Sequence, residues 1–244
     1  MIERKDSVWK IEEYVAKYYD GIRGGLPFAI EHIEVMDFLI NNLEIPPKNF
    51  LDIGCGNGIL SSVVFLKHPK IKGVLVDFYQ PILEEAMFNL SKYEENSRYM
   101  NLDISNKKWM KGISRSAPFD LVVTGFTFHH QTDKRKKELY KEVFKLLSPG
   151  GLFVNIEQVA LTSAWTKKVA DRVLFKSIET FHSKHNLEIS LKQFLKNSKD
   201  VAEKANLLAT AGSQCGWMRD AGYIDVDCYF KALNGVVLGG RKPK

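Results

Sequence analysis

The chain has 244 residues, 45% of them hydrophobic and 26% charged, with a formal net charge of +6 and a pI near 9.0. This is enough for one α/β domain with a sizeable core, and the composition excludes a disordered or fibrous protein. No apolar run approaches the ~20 residues of a bilayer span, and Met1 to Lys10 lack the apolar core of a secretory signal, so no membrane association is expected.

Two N-terminal helices are predicted, Ser7 to Tyr19 and Phe28 to Leu43, broken by a glycine-rich stretch from Gly21 to Pro27. Pro46-Pro47 stops the second helix ahead of a strand, Asn49 to Ile53. Strands and helices then alternate, the sign of a parallel sheet wrapped on both faces. Lys72 to Asp77 is the second strand, Pro81 opens a helix to about Leu90, and Ser97 to Leu102 is the third strand. Phe119 to Thr124 is the fourth. Thr132 can cap a helix from Asp133 to Leu147, with Leu139, Val143, Phe144 and Leu147 on its apolar face. Pro149-Gly150-Gly151 turns into the fifth strand, Leu152 to Glu157. Thr162 to His185 and Leu191 to Ala221 read as helical, longer than an ordinary crossover, so a cap over the sheet is expected. Tyr223 to Phe230 and Val236 to Gly240 are strands, and the Asn234-Gly235 pair between them signals a hairpin.

Cys55, Cys215 and Cys228 show neither CxxC nor Cys/His spacing. A reduced, cytoplasmic setting without a metal site is the expectation. The basic balance permits a nucleic-acid partner without demanding one. The densest run, Lys134-Arg135-Lys136-Lys137, opens a predicted helix and reads as a solvated face.

Leu51 to Gly58 read Leu-Asp-Ile-Gly-Cys-Gly-Asn-Gly: a strand ending in a carboxylate, then a turn with glycine at every second position. In a βαβ unit this bare backbone lies at the carboxyl end of the first strand, where nucleotide-like cofactors bind. A dinucleotide fingerprint wants a further glycine where Ile59 stands. A cofactor without phosphates needs that helix end less, and a cationic one is attracted by Asp52 where pyrophosphate is repelled.

This stretch resembles motif I of the class I S-adenosylmethionine-dependent methyltransferases, and the resemblance extends in motif order from Asn49 to Glu157. It implies a Rossmann-like seven-stranded α/β sheet, mostly parallel with an antiparallel last strand, helices on both faces and a helical cap. It also implies S-adenosylmethionine as cofactor and S-adenosylhomocysteine as product. Asp52, Gly54, Cys55 and Gly56 would seat the amino-acid end of the cofactor. Asp77 would accept from both ribose hydroxyls, as a carboxylate can, and Phe78 would lie against the adenine edge or in the core. Asp103 would meet the adenine amino group, or cap the next helix, with Ile104 packing on the ring. Gly125, Phe126 and Thr127 would stand at the mouth facing the acceptor. In the lid, Arg23 would pair with the methionine carboxylate or remain a surface residue.

For catalysis the candidates are His129 and His130, since imidazole can take a proton near neutral pH. Adjacent residues point opposite ways, so at most one faces the pocket. The alternative is that both brace the next helix while proximity alone accelerates transfer. Glu157, Trp165, His182 and His185 are further acceptor-side candidates. The chain lacks Asn/Asp-Pro-Pro-Tyr and a Pro-Cys nucleophile at strand four, which argues against base methylation. One domain is expected, with residues 1–45 as N-terminal helices and lid, 46–157 as cofactor core, 158–221 as cap and 222–244 as hairpin. The enclosing cap favours a small-molecule acceptor, with a tRNA- or protein-directed methyltransferase as the alternative. The segment Asn186 to Ser190, followed by a long helix and a closing hairpin, and Phe126-Thr127 at the exit of strand four also look somewhat like the carboxy-S-adenosylmethionine synthase family.

Overall fold

The computed structural model describes residues 25–184 and 206–244. The expected helix Ser7 to Tyr19, Arg23, His185 and Asn186 to Ser190 lie outside them. A seven-stranded sheet has the order β3-β2-β1-β4-β5-β7-β6. Its strands are β1 (Asn49–Ile53), β2 (Lys72–Asp77), β3 (Ser97–Asn101), β4 (Phe119–Gly125), β5 (Leu147–Gln158), β6 (Ile224–Ala232) and β7 (Gly235–Arg241). The pairings from β3 through β5 are parallel, and β7 runs antiparallel to both β5 and β6.

Alternation along the strands divides the core into two layers. Phe50, Leu75, Leu121, Val123 and Val154 pack on the face covered by α1 (Ala29–Asn41), α2 (Ile59–Lys67) and α3 (Gln80–Asn89). Leu51, Val76, Val122 and Phe153 pack on the other, with α4 (Trp109–Ile113), α5 (Asp133–Leu146) and α7 (Ala211–Ala221). α6 (Ala164–Lys184) lies against the start of α1, where a Cβ on Gly25 would meet Ile178 at 3.0 Å.

The helix expected from Leu191 to Ala221 begins, within the described residues, only at Ala211. Thr210 caps it by accepting from the Ser213 N–H at 3.1 Å. Before it, 206–210 runs as non-helical chain, with Leu207 N–H donating to the His129 carbonyl and Ala160 N–H to the Ala209 carbonyl. α7 packs on α5, β6 and β7, so residues 211–221 belong to a helical layer of the sheet and not to a cap. The four-cation run also differs from expectation. Lys134 and Lys137 are exposed, but Arg135 and Lys136 are buried. Thr132 caps α5 in the predicted way, and that fixes which of the four point inward.

The hairpin turn is Leu233-Asn234, with Leu233 at φ 56, and Gly235 pairs already with Ala232. Glycine is required there for another reason: a Cβ would stand 2.7 Å from His32 Nε2.

Candidate active site

Strands β1 to β5 end at one edge of the sheet, and every site residue predicted within the described chain, apart from the α6 residues, lies on or just beyond that edge. At β1, Gly54, Gly56 and Gly58 take φ values of 67°, 53° and 88°. These left-handed angles strain any residue with a Cβ. The turn is drawn onto β2 by its own amides, Gly54 and Cys55 N–H donating to the Val76 carbonyl at 2.7 and 3.0 Å. Gly56 N–H donates to Asp77 Oδ2 at 3.0 Å.

Asp77 is therefore a hub. Its Oδ1 accepts from Tyr79 N–H at 3.0 Å, and its carbonyl accepts from Leu102 N–H at 3.0 Å. Burial raises its carboxyl above the usual aspartate range, and the amide bonds from Tyr79, Gly56 and Phe78 offset this only in part. Spare lone pairs on both oxygens can accept further hydrogens. Asp103 follows β3, and its Oδ1 accepts from Ser105 N–H at 2.9 Å. This is a local turn bond and not the helix cap foreseen as the alternative, since the next helix begins only at Trp109. Ile104 is buried beside it, and Phe78 is half-buried.

Asp52 sits differently from the rest. It is fully buried, and its Oδ2 accepts from Ser61 Oγ at 2.7 Å, so it ties β1 to α2 beneath the glycine turn. Cys55 is also buried, in the core layer below the turn.

At the exit of β4, Phe126 adopts φ 51 and donates its N–H to the Ile156 carbonyl at 2.8 Å. Thr127 Oγ1 donates to the Gly125 carbonyl at 2.9 Å and packs against Gly54. A single turn, Phe128–His130, then brings His129 under the end of β5. Glu157 is fully buried and grips it twice. Oε2 accepts from the His129 backbone N–H at 3.0 Å, and Oε1 lies 2.5 Å from Nδ1. Glu157 Oε1 also accepts from Gln158 N–H at 2.7 Å. A carboxylate so placed holds the imidazole in orientation through Nδ1. The His129 and His130 rings are 3.9 Å apart, and His130 is only half-buried.

Of the two acceptor-side candidates on α6, Trp165 is 73% exposed, and His182 is buried beside Phe181. The pairing of His129 with Glu157 was not foreseen. The available signal was a fifth strand ending in an acid, as the second strand does.

Sequence comparison agrees with this geometry: a methyltransferase domain model matches residues 50–151. The demethylmenaquinone methyltransferase of Leptospira interrogans is 27% identical over 67% of this chain, which spans 65% of that relative's length. Over these residues the chain is similar to the class I S-adenosylmethionine-dependent methyltransferases. Its cofactor is S-adenosylmethionine. A second relative is the carboxy-S-adenosyl-L-methionine synthase of Actinobacillus succinogenes. It is 21% identical, over 91% of this chain and 89% of its own. Human N-acetylserotonin methyltransferase, solved in complex with the same cofactor, shares the fold. Its TM-score is 0.62 at 14% identity, covering 100% of this chain and 60% of that one.

Proposed function

We propose that the protein transfers the S-adenosylmethionine methyl group to a small-molecule acceptor bearing a hydroxyl or comparable acidic group. The buried His129–Glu157 pair at the ends of β4 and β5 carries this reading. Glu157 holds the imidazole, and His129 Nε2 takes the acceptor's proton as its oxygen attacks; His130 flanks the site without acting as base. Bound S-adenosylmethionine supplies an electrophilic methyl on a positively charged sulfur. The glycine turn at 54, 55 and 56 passes the methionine end, Asp77 accepts from the ribose diol, and Asp103 with Ile104 receives adenine. Gly125 and Phe126 border the transfer point. Asp52 acts through the turn that it braces, and Arg23 is retained as the partner of the methionine carboxylate. The Leptospira relative is named for a small-molecule acceptor, which supports this substrate class.

Mass spectrometry of the co-purified ligand, followed by S-adenosylhomocysteine release from a panel of hydroxylated small molecules, tests the reading. An adenosine thioether in the protein and turnover on one acceptor class, abolished by His129→Gln, are expected. Bound NAD, or undiminished turnover in His129→Gln, would overturn it.

A second reading rests on the near full-length match to the carboxy-S-adenosyl-L-methionine synthase. In it the cofactor itself is modified, and the co-purified ligand then carries the mass of an added carboxyl group.

A further inference from the structure

Arg135, read from sequence as part of a solvated run, is a buried residue that reaches the Asp103 loop. From the first turn of α5 its Nε donates to the Ile104 carbonyl at 2.8 Å. Its Nη1 and Nη2 donate to Glu142 Oε1 and Oε2 at 2.8 and 2.7 Å, and Nη1 also reaches Glu138 at 3.3 Å. A guanidinium taken out of water persists only where partners of this kind replace its hydration. Both carboxylates also hold the far side of the same loop. Trp109 Nε1 donates to Glu142 Oε2 at 2.7 Å, and Lys107 Nζ lies 3.0 Å from Glu138 Oε1. At its near end the loop is tied by Leu102 N–H to the Asp77 carbonyl. Asp103 and Ile104 thus sit between two anchors, one belonging to the ribose carboxylate and the other to α5.

An apolar cluster would bury this helix face equally well, since replacing a buried ion pair by packed hydrophobic residues is often neutral or stabilising. It would not fix the direction of the Ile104 carbonyl. We propose that Arg135 is a positioning residue for adenine recognition, holding the Asp103–Ile104 segment in register with Asp77 so that the Asp103 carboxylate meets the exocyclic amine. This rests on the cofactor placement proposed above, and it deepens that reading by naming what makes the site selective for adenine.

The test compares S-adenosylhomocysteine with S-inosylhomocysteine, which carries a carbonyl where adenine carries its amino group. Binding of each is measured by calorimetry to the wild-type protein, to Arg135→Met and to the double variant Arg135→Met/Glu142→Gln. The double variant leaves no unpaired buried charge on Glu142 and keeps an acceptor for Trp109, so it is the variant to rely on if the single one fails to fold. The wild type is expected to prefer the adenine compound about tenfold or more, the worth of a hydrogen bond to a charged group. The folded double variant is expected to bring the two affinities within about threefold of each other, mainly by weakening the adenine compound. A folded double variant that keeps the wild-type preference would overturn the proposal, leaving Arg135 a purely structural residue. So would a wild type that binds both equally. A wild type that binds neither would instead overturn the cofactor placement on which the proposal stands.

Discussion

The two halves of the sheet edge are built by different means. At β1, β2 and β3 the ties are mostly made by backbone amides to near neighbours in the fold, with Asp77 joining the glycine turn to the start of α3 and Asp52 joining β1 to α2 through Ser61. At β4 and β5 backbone bonds are joined by several between side chains, or from a side chain to distant backbone. His129 meets Glu157, Lys136 meets the Leu207 carbonyl, and Tyr140 donates to Gln214 at 2.6 Å. Backbone geometry is insensitive to most substitutions, whereas side-chain networks change with single residues. A constant donor suits the first construction, and an acceptor that differs between relatives suits the second.

The sharpest way to break this comparison is Glu157→Gln. Removing the carboxylate while keeping the shape is expected to lower kcat by about 10²–10⁴, the usual worth of positioned general-base catalysis. Affinity for S-adenosylhomocysteine should stay within about twofold, because no cofactor-side bond is touched. His129→Gln should match it, and His130→Gln should remain within a few-fold of wild type. Equal loss of cofactor affinity in Glu157→Gln would show that the two halves are not separable.

Asp77→Ala is the reciprocal experiment, with a smaller effect. It removes an acceptor from Gly56, from Tyr79 and, as proposed, from the ribose, so cofactor affinity should fall about 10- to 100-fold. The raised carboxyl pKa adds a pH signature. Ribose hydroxyls donate best to the ionised form, so affinity should weaken as pH falls through a value above the ~4 of ordinary aspartate. The linked stability term has the opposite sense. Between the unfolded and folded pKa values the native state holds the extra proton, so raising pH across that window costs stability. Asp77→Asn should flatten both dependences, as read by calorimetric titration and thermal melts at several pH values.

This division also explains what the sequence revealed. Asp52, Gly54, Asp77 and Asp103 each lie at or within two residues of the end of a strand, and strand ends are legible from apolar runs and glycine spacing. Local signals did as well elsewhere: Thr132 caps α5, and the β6–β7 hairpin forms at the Asn-Gly signal, with its turn one residue earlier, at Leu233-Asn234. Choosing between His129 and His130 required knowing that β5 lies beside β4 in a register that brings Glu157 under the turn, and no local pattern carries that. Arg135 was misread for a related reason. Four consecutive cations look solvated, yet a helix turns by ~100° per residue, so two of the four must face inward once Thr132 sets the phase.

The smallest predicted effect concerns Asp52, the one residue whose assignment straddles both halves. If it serves by bracing the glycine turn from below, Ser61→Ala removes a buried hydroxyl donor to its carboxylate at a cost of about 1–3 kcal/mol. That corresponds to a Tm drop of roughly 2–4 °C per kcal/mol in a chain of this size. Asp52 would then keep its place below the turn, and the ratio of affinities for S-adenosylmethionine and S-adenosylhomocysteine would not change. Only the former carries a sulfonium charge, so a carboxylate acting directly on the cofactor alters that ratio when its local field changes. A shifted ratio in Ser61→Ala would move Asp52 from the brace into the binding surface. A lower Tm with a constant ratio keeps it as the post on which the glycine turn stands.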